Sequence, residues 1–378
     1  MSSTNHTVRI ALITGYLGAG KTTLLNKILA NDQGIRAAVI VNDIGEVNVD
    51  AKLIEQNGVV SQVTDTLVPL SNGCICCTLA DDLAKQLTEI AESGNFEYII
   101  IEASGICEPI PIAFTIDNFC QMEAQRGTNI VLDNIIAVVD CARMFDEFSG
   151  GKDLLAEDID DEDLEALLIQ QIEFCTTLVL NKTDLVSDEQ INELKAIVRG
   201  LQREATIVEA TQAEVDLKEL LNTDRFDFEK AYESSAWLEA LEHPEEHEDP
   251  EVLEYDIATF VYERRQPFNL ANLEKFAKHW PDTVIRAKGL VWIADNPDMS
   301  YVFEQAGRQL RLQENGLFVA SAPEDEFKKI VAANPEIMED WDDEVGDRMT
   351  RLVFIGRHMN QDEIESDLDA CLVPWIHD

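Results

Sequence analysis

The octapeptide GYLGAGKT, Gly15 to Thr22, constrains the fold more than any other stretch of the chain. It fits G-x-x-x-x-G-K-[ST] and stands between a continuous apolar run, RIALIT (9–14), and a helical pattern, TTLLNKILAN. A glycine-rich turn from strand into helix is the phosphate-binding element of a parallel α/β sheet. In that setting the backbone around Gly15, Gly18, Ala19, Gly20 and Thr23, with the helix N-terminus behind it, would cradle phosphate oxygens. Lys21 would reach the β- and γ-phosphates, and the Thr22 hydroxyl would bind Mg²⁺.

The rest of the first half agrees with such a sheet. Short runs rich in Ile and Val recur at 37–43 (AAVIVND), 98–104 (YIIIEAS), 134–140 (NIIAVVD), 177–182 (TLVLNK) and 206–211 (TIVEAT), with a further strand through 66–71 (TLVPLS). Continuous apolar strands alternating with helical segments imply a mostly parallel, doubly wound sheet covered on both faces. From Tyr255 the pattern changes to YDIATFVYE, NLANLEKFAKHW, TVIRAKGLVWIA, QLRLQENGLFVAS, EDEFKKIVAAN, RLVFIG and QDEIESDLDACLVPWI. Alternating strands with two or three helices suggest a smaller α+β domain with an antiparallel sheet. The expected organisation is α/β over residues 1–222, an acidic linker over 223–252, and a C-terminal α+β domain over 253–378.

Asn181, Lys182 and Asp184, in NKTD, end one of the apolar strands. A carboxylate at Asp184 can accept both N1–H and N2–H of guanine, a donor pair that adenine lacks, so GTP is favoured over ATP. Glu102 ends another strand, where a carboxylate would reach Mg²⁺ directly or through water. Gly105, three residues on, would offer its N–H to the γ-phosphate and move on hydrolysis. VNDIGE places Asp43 and Glu46 in a polar loop after the second strand, where one phosphate-sensing switch belongs.

NGCICCTL puts Cys74, Cys76 and Cys77, three of the chain's eight cysteines, within four positions. In an extended segment Cys74 and Cys76 point the same way, and a turn at Cys77 brings the third thiol round. Thiolates so arranged suit Zn²⁺, though Co²⁺ and other cations also accept them. Three thiolates leave one tetrahedral position, to be completed by an acid such as Asp43 or Glu46, by water, or by an exchangeable partner. In an open α/β sheet, loops after the strands' carboxyl ends share one edge, so the thiol loop should border the nucleotide crevice.

With 29 basic and 73 acidic residues the formal charge is −44, which argues against nucleic acid and anionic membranes as partners. No apolar run approaches 18 residues and no secretory pattern opens the chain, which points to the cytoplasm and to free or metal-bound thiols there.

The motifs GYLGAGKTTLL, VNDIGE, NGCICCTL, IIIEASG and NKTD, in that order, resemble the CobW-type metallochaperone GTPases, and RQPFNLANLEKF, VIRAKGLVWIA and RLVFIGRHMNQDEI resemble that family's C-terminal domain. The resemblance implies a slow GTPase, hydrolysing GTP to GDP and phosphate, that binds a transition metal through Cys74, Cys76 and Cys77 and delivers it to a client metalloprotein. It implies phosphate and Mg²⁺ contacts at Lys21 and Thr22 and guanine contacts at Asn181, Lys182 and Asp184. Zinc is the favoured cargo, and a homodimer is a further candidate assembly. The alternatives are a cobalt or iron insertion protein, or a regulatory GTPase with a structural zinc. Two departures stand out: Asp43 occupies a position that is Glu in many members, and the histidine-rich run of many members is reduced to His243 and His247 among acids.

Overall fold

The structure is a computed structural model that describes residues 7–30, 35–41, 67–69, 80–105, 109–148, 164–228, 230, 256–307, 309–338 and 341–375. The chain forms two compact units. The first is built on strands β1 (Val8–Thr14), β2 (Ala37–Val41), β3 (Leu67–Pro69), β4 (Tyr98–Glu102), β5 (Ile130–Asp140), β6 (Thr177–Asn181) and β7 (Thr206–Ala210). They lie in the order β3-β2-β4-β1-β5-β6-β7, and every pairing is parallel.

Strand residues that alternate between the two faces explain the apolar runs. Ile10, Leu12, Ile99 and Ile101 face helices α2 (Ala80–Ser93) and α3 (Pro109–Arg126), where Leu83, Leu87 and Ile90 recur at helical spacing. Ala11, Ile13, Ile100 and Val138 face the other way, onto Leu24, Leu25 and Ile28 of α1 (Lys21–Leu29). The sheet is therefore doubly wound, as its sequence pattern requires. Helices α4 (Cys141–Phe148), α5 (Leu164–Glu173) and α6 (Asp188–Leu201) complete the described elements of this unit.

Strand β5 begins at Ile130, four residues before the apolar run suggests, because two buried polar residues interrupt that run. Asp133 accepts hydrogen bonds from the Tyr98 hydroxyl and from the Thr223 and Asp224 amides, and it pairs with Arg9 at 2.9 Å. Asn134 donates to the Leu220 carbonyl. These contacts tie residues 220–224 to the amino end of the sheet, and Phe226 and Phe228 pack on the core beyond them. The linker expected over 223–252 otherwise lies almost wholly outside the described residues.

The second unit is a five-stranded sheet, β11-β10-β9-β12-β8, whose pairings are all antiparallel. Its strands are β8 (Ile257–Arg264), β9 (Val284–Trp292), β10 (Met299–Ala306), β11 (Gln309–Leu317) and β12 (Thr350–Arg357). Helices α7 (Leu270–Ala277) and α9 (Gln361–Asp369) supply Leu273, Ile364 and Leu368 to a core with Phe260, Tyr262, Phe268 and Phe354; α8 (Glu324–Ala333) follows β11. Strand β10 is the element that the apolar pattern does not announce. Its Gln305 is fully buried and bonds to backbone carbonyls, so a polar residue sits where an alternating reading expects an apolar one.

Candidate nucleotide site

The strands of the first sheet end level with one another. Ile13 pairs with Glu102, Val41 with both Glu102 and Pro69, Asp140 with Asn181, and Asn181 with Ala210. Every loop that leaves a carboxyl end of the sheet therefore leaves from one edge, and the chain reverses direction across the sheet at β1, which feeds Gly15–Gly20.

Two glycines of that loop are dictated by close approach. A Cβ on Gly15 (φ +137°) would lie 2.2 Å from the Val138 carbonyl oxygen, and one on Gly20 (φ +112°) would lie 2.4 Å from Asn181 Nδ2. Gly20 also caps α1 without a side-chain hydrogen bond, and no acidic residue occupies the first turn. The positive end of the helix is left to an anion.

Lys21 is buried, with its ammonium donating to the Tyr16 carbonyl at 3.3 Å. Thr22 donates its hydroxyl proton to Glu102 Oε1 at 2.9 Å across 80 residues of sequence, and Glu102 is only 1% exposed. A hydroxyl beside a carboxylate is a pair of hard oxygen donors, the chemistry Mg²⁺ prefers, so these two residues fit that ion. Gly105 lies against the phosphate-loop tip, where a Cβ would be 2.7 Å from the Leu17 amide nitrogen. Gly18 carries φ +78° in open space, Ala19 is buried, and Thr23 is exposed on α1.

Asn181, 2% exposed, joins three loops. Its Nδ2 donates to the Ala19 carbonyl at 2.8 Å, and its Oδ1 accepts the Ala213 amide at 2.8 Å. Lys182 takes the left-handed conformation (φ 61°), with Nζ 2.5 Å from Asp140 Oδ2. Asp184 follows on a short 3₁₀ turn with its carboxylate exposed. No motif marks the loop after β7, where Thr183 donates to the Ala210 carbonyl at 3.2 Å and lies 3.0 Å from the Thr211 hydroxyl. Gln212 and Ala213 there are left-handed without being glycine, so the usual sequence signal is missing. Asp140, at the end of β5, is unmarked too, since an acid at a strand end carries no signature by itself.

Cys74, Cys76, Cys77, Asp43, Glu46, His243 and His247 lie outside the described residues. The described cysteines are of another kind. Cys120, Cys141 and Cys175 are buried, and burial pushes each thiol up to about 12, so they stay protonated at neutral pH and unsuited to ligate as thiolates. Among the described residues no helix is long and apolar enough to cross a membrane.

An edge of this kind defines a P-loop nucleotide-binding protein of the α/β class. The chain belongs to the CobW/HypB/UreG family of P-loop GTPases: that family's nucleotide-binding domain matches residues 9–209, and the cobalamin synthesis protein cobW C-terminal domain matches residues 257–372. It is 39% identical to zinc-regulated GTPase metalloprotein activator 1 of Dictyostelium discoideum, over 96% of this chain and 79% of that protein. It is 27% identical to the zinc chaperone YjiA of Escherichia coli K12, over 95% of this chain and 97% of that one. The solved Zn(II)-bound YjiA GTPase from E. coli is 22% identical, with 97% of this chain and 99% of that chain covered at a TM-score of 0.43.

Proposed function

We propose that this GTPase takes up a divalent transition metal, zinc foremost, through Cys74, Cys76 and Cys77, and hands it to a client metalloprotein in the cytoplasm as GTP is hydrolysed to GDP and phosphate. The relatives named as a zinc chaperone and a zinc-regulated metalloprotein activator support the choice of cargo. The observation that carries the coupling is the level edge: Pro69 ends β3 beside Val41, which lies beside Glu102. Strands about 4.8 Å apart put Glu102 about 10 Å from Pro69. Cys74 follows Pro69 by five residues, a reach of at most about 17 Å. The thiols are thus tethered to the edge that holds the nucleotide.

In this reading the phosphates lie on the Gly15–Gly20 backbone and the α1 N-terminus, with Lys21 on the β- and γ-phosphates. Thr22 and Glu102 hold Mg²⁺, which when bound neutralises charge developing on the transferred phosphoryl group. Gly105 lies beside Leu17 so that its amide can follow the γ-phosphate, and it follows β4, the strand that pairs with β2. Asn181, Lys182 and Asp184 hold and select guanine. A second copy of the chain is a further partner in this scheme.

Metal analysis of the purified native protein, as wild type and as Cys76→Ser, tests the assignment. The expected result is loss of bound zinc with GTP hydrolysis retained. Unchanged metal stoichiometry in the variant would remove the thiol cluster from its role.

A further inference from the structure

The turn from β5 into α4 contributes two side chains that neither the motifs nor the nucleotide scheme uses. Arg143 lies with its guanidinium carbon 4.3 Å from the centroid of the Tyr16 ring. Tyr16 is the second residue of the phosphate loop and is 5% exposed, and Arg143 is half-buried, so the ring is largely removed from water and the guanidinium in part. A cation over an aromatic face gains most when both are desolvated. The Arg143 Nε is buried and has no hydrogen-bond partner among the described residues, so the Tyr16 ring is a principal contact of the group.

Tyr16 is in turn a partner of the phosphate-binding lysine. Its carbonyl accepts Lys21 Nζ at 3.3 Å and the Ala19 amide at 3.2 Å, so the placement of its ring fixes the carbonyl around which the loop closes. On the other side of the same turn, Asp140 Oδ1 accepts the Arg143 amide at 3.2 Å, and Oδ2 holds Lys182 of the base-recognition motif. One turn of chain therefore touches both halves of the nucleotide site: the phosphate loop through Arg143 and the base loop through Asp140. Arg143, Tyr16, Leu17, Ala19, Asp140, Met144 and Leu168 line a small cavity of about 10 Å³, room for no more than about one water.

We propose that Arg143 is a positioning residue for guanine nucleotide binding, holding the Tyr16 ring and through it the lysine end of the phosphate loop in register with the base loop. The proposal rests on the nucleotide reading of this edge. Its physical content is specific: the charge of Arg143 and the aromatic face of Tyr16 act as a pair, so removing either removes the same contribution, and removing both costs no more than removing one.

The test is a double-mutant cycle on the full chain, read by titration with a fluorescent GDP in the presence of Mg²⁺. Arg143→Met and Tyr16→Leu are each expected to raise the Kd about tenfold, and the double variant about tenfold rather than about a hundredfold. Arg143→Lys, which keeps a cation, should recover most of the affinity lost in Arg143→Met, a rescue that loss of simple packing would not give. In GTP hydrolysis the loss should fall on KM more than on kcat. GDP affinity in Arg143→Met equal to that of the wild type, or single effects that multiply in the double variant, would overturn the proposal while leaving the site intact. A wild-type protein that binds no guanine nucleotide would overturn the site itself. Should Tyr16→Leu fail to fold, the comparison of Arg143→Met with Arg143→Lys decides the matter alone.

Discussion

Replacing Asn181 by alanine should separate the nucleotide site from the fold that carries it. The side chain makes two buried hydrogen bonds of 2.8 Å, one to the Ala19 carbonyl and one from the Ala213 amide. Alanine leaves both backbone groups without that partner at a position only 2% exposed. An abandoned buried polar group costs about 1–3 kcal/mol, so the two together cost about 2–6 kcal/mol if the loops stay in place. The loops instead open locally, which caps the stability loss but passes the reordering cost to the nucleotide. At the low end, about 2 kcal/mol, GDP affinity falls about thirtyfold. Asn181→Asp keeps the acceptor for Ala213 but sets a second oxygen against the Ala19 carbonyl, so it should also lose affinity while holding the loop after β7. Calorimetric titration with GDP, paired with thermal unfolding of the nucleotide-free protein, gives both quantities. GDP affinity within threefold of the wild type in Asn181→Ala would refute the clamp, whatever happened to the melting temperature.

Other consequences can be measured separately. Gly15→Ala meets the Val138 carbonyl at 2.2 Å in a left-handed conformation and should destabilise the first unit by about 3 kcal/mol, whereas Gly18→Ala, with nothing within 4 Å, should cost about 1 kcal/mol; denaturant titration ranks the two. Thr22→Val keeps the shape and removes the hydroxyl that touches Glu102, so Mg²⁺ should cease to strengthen GTP binding and hydrolysis should fall about a hundredfold or more in a phosphate-release assay. In the second unit, the Arg264 guanidinium beside Asp369 holds that carboxyl below the usual carboxylate value. A depressed folded value means that the contribution is present above the unfolded value, near 4, and is lost as pH falls through the folded one. The wild type should therefore lose stability below about pH 4, and Asp369→Asn should lack that component in thermal melts across pH 5 to 3.

The first unit was legible because its strands are buried on both faces: β4 and β6 read as unbroken apolar runs, and each ends in a residue with chemistry, Glu102 and Asn181. The shared edge followed from parallel topology alone. What escaped the sequence was decided by tertiary pairing. Strand β10 is masked by Gln305, whose side-chain amide nitrogen finds its carbonyl acceptors, Val284 and Gly307, only once β9 and the following turn are in place. The early start of β5 depends on Asp133 finding Tyr98 and the Asp224 amide, partners 35 and 91 residues away. Arg143 and Asp140 have no motif around them, and their meaning comes from Tyr16 and Lys182 being near in space.

Coupled delivery requires that the metal sense the nucleotide. Equilibrium titration of Zn²⁺ into the full-length protein with Mg²⁺, once with a non-hydrolysable GTP analogue and once with GDP, measures this directly, since linkage requires any coupling to show as a difference between the two zinc affinities. The tethering of Cys74 to the edge that carries Glu102 and Gly105 predicts zinc affinities at least about tenfold apart, a coupling of about 1.4 kcal/mol. Equal affinities in the two nucleotide states would contradict it.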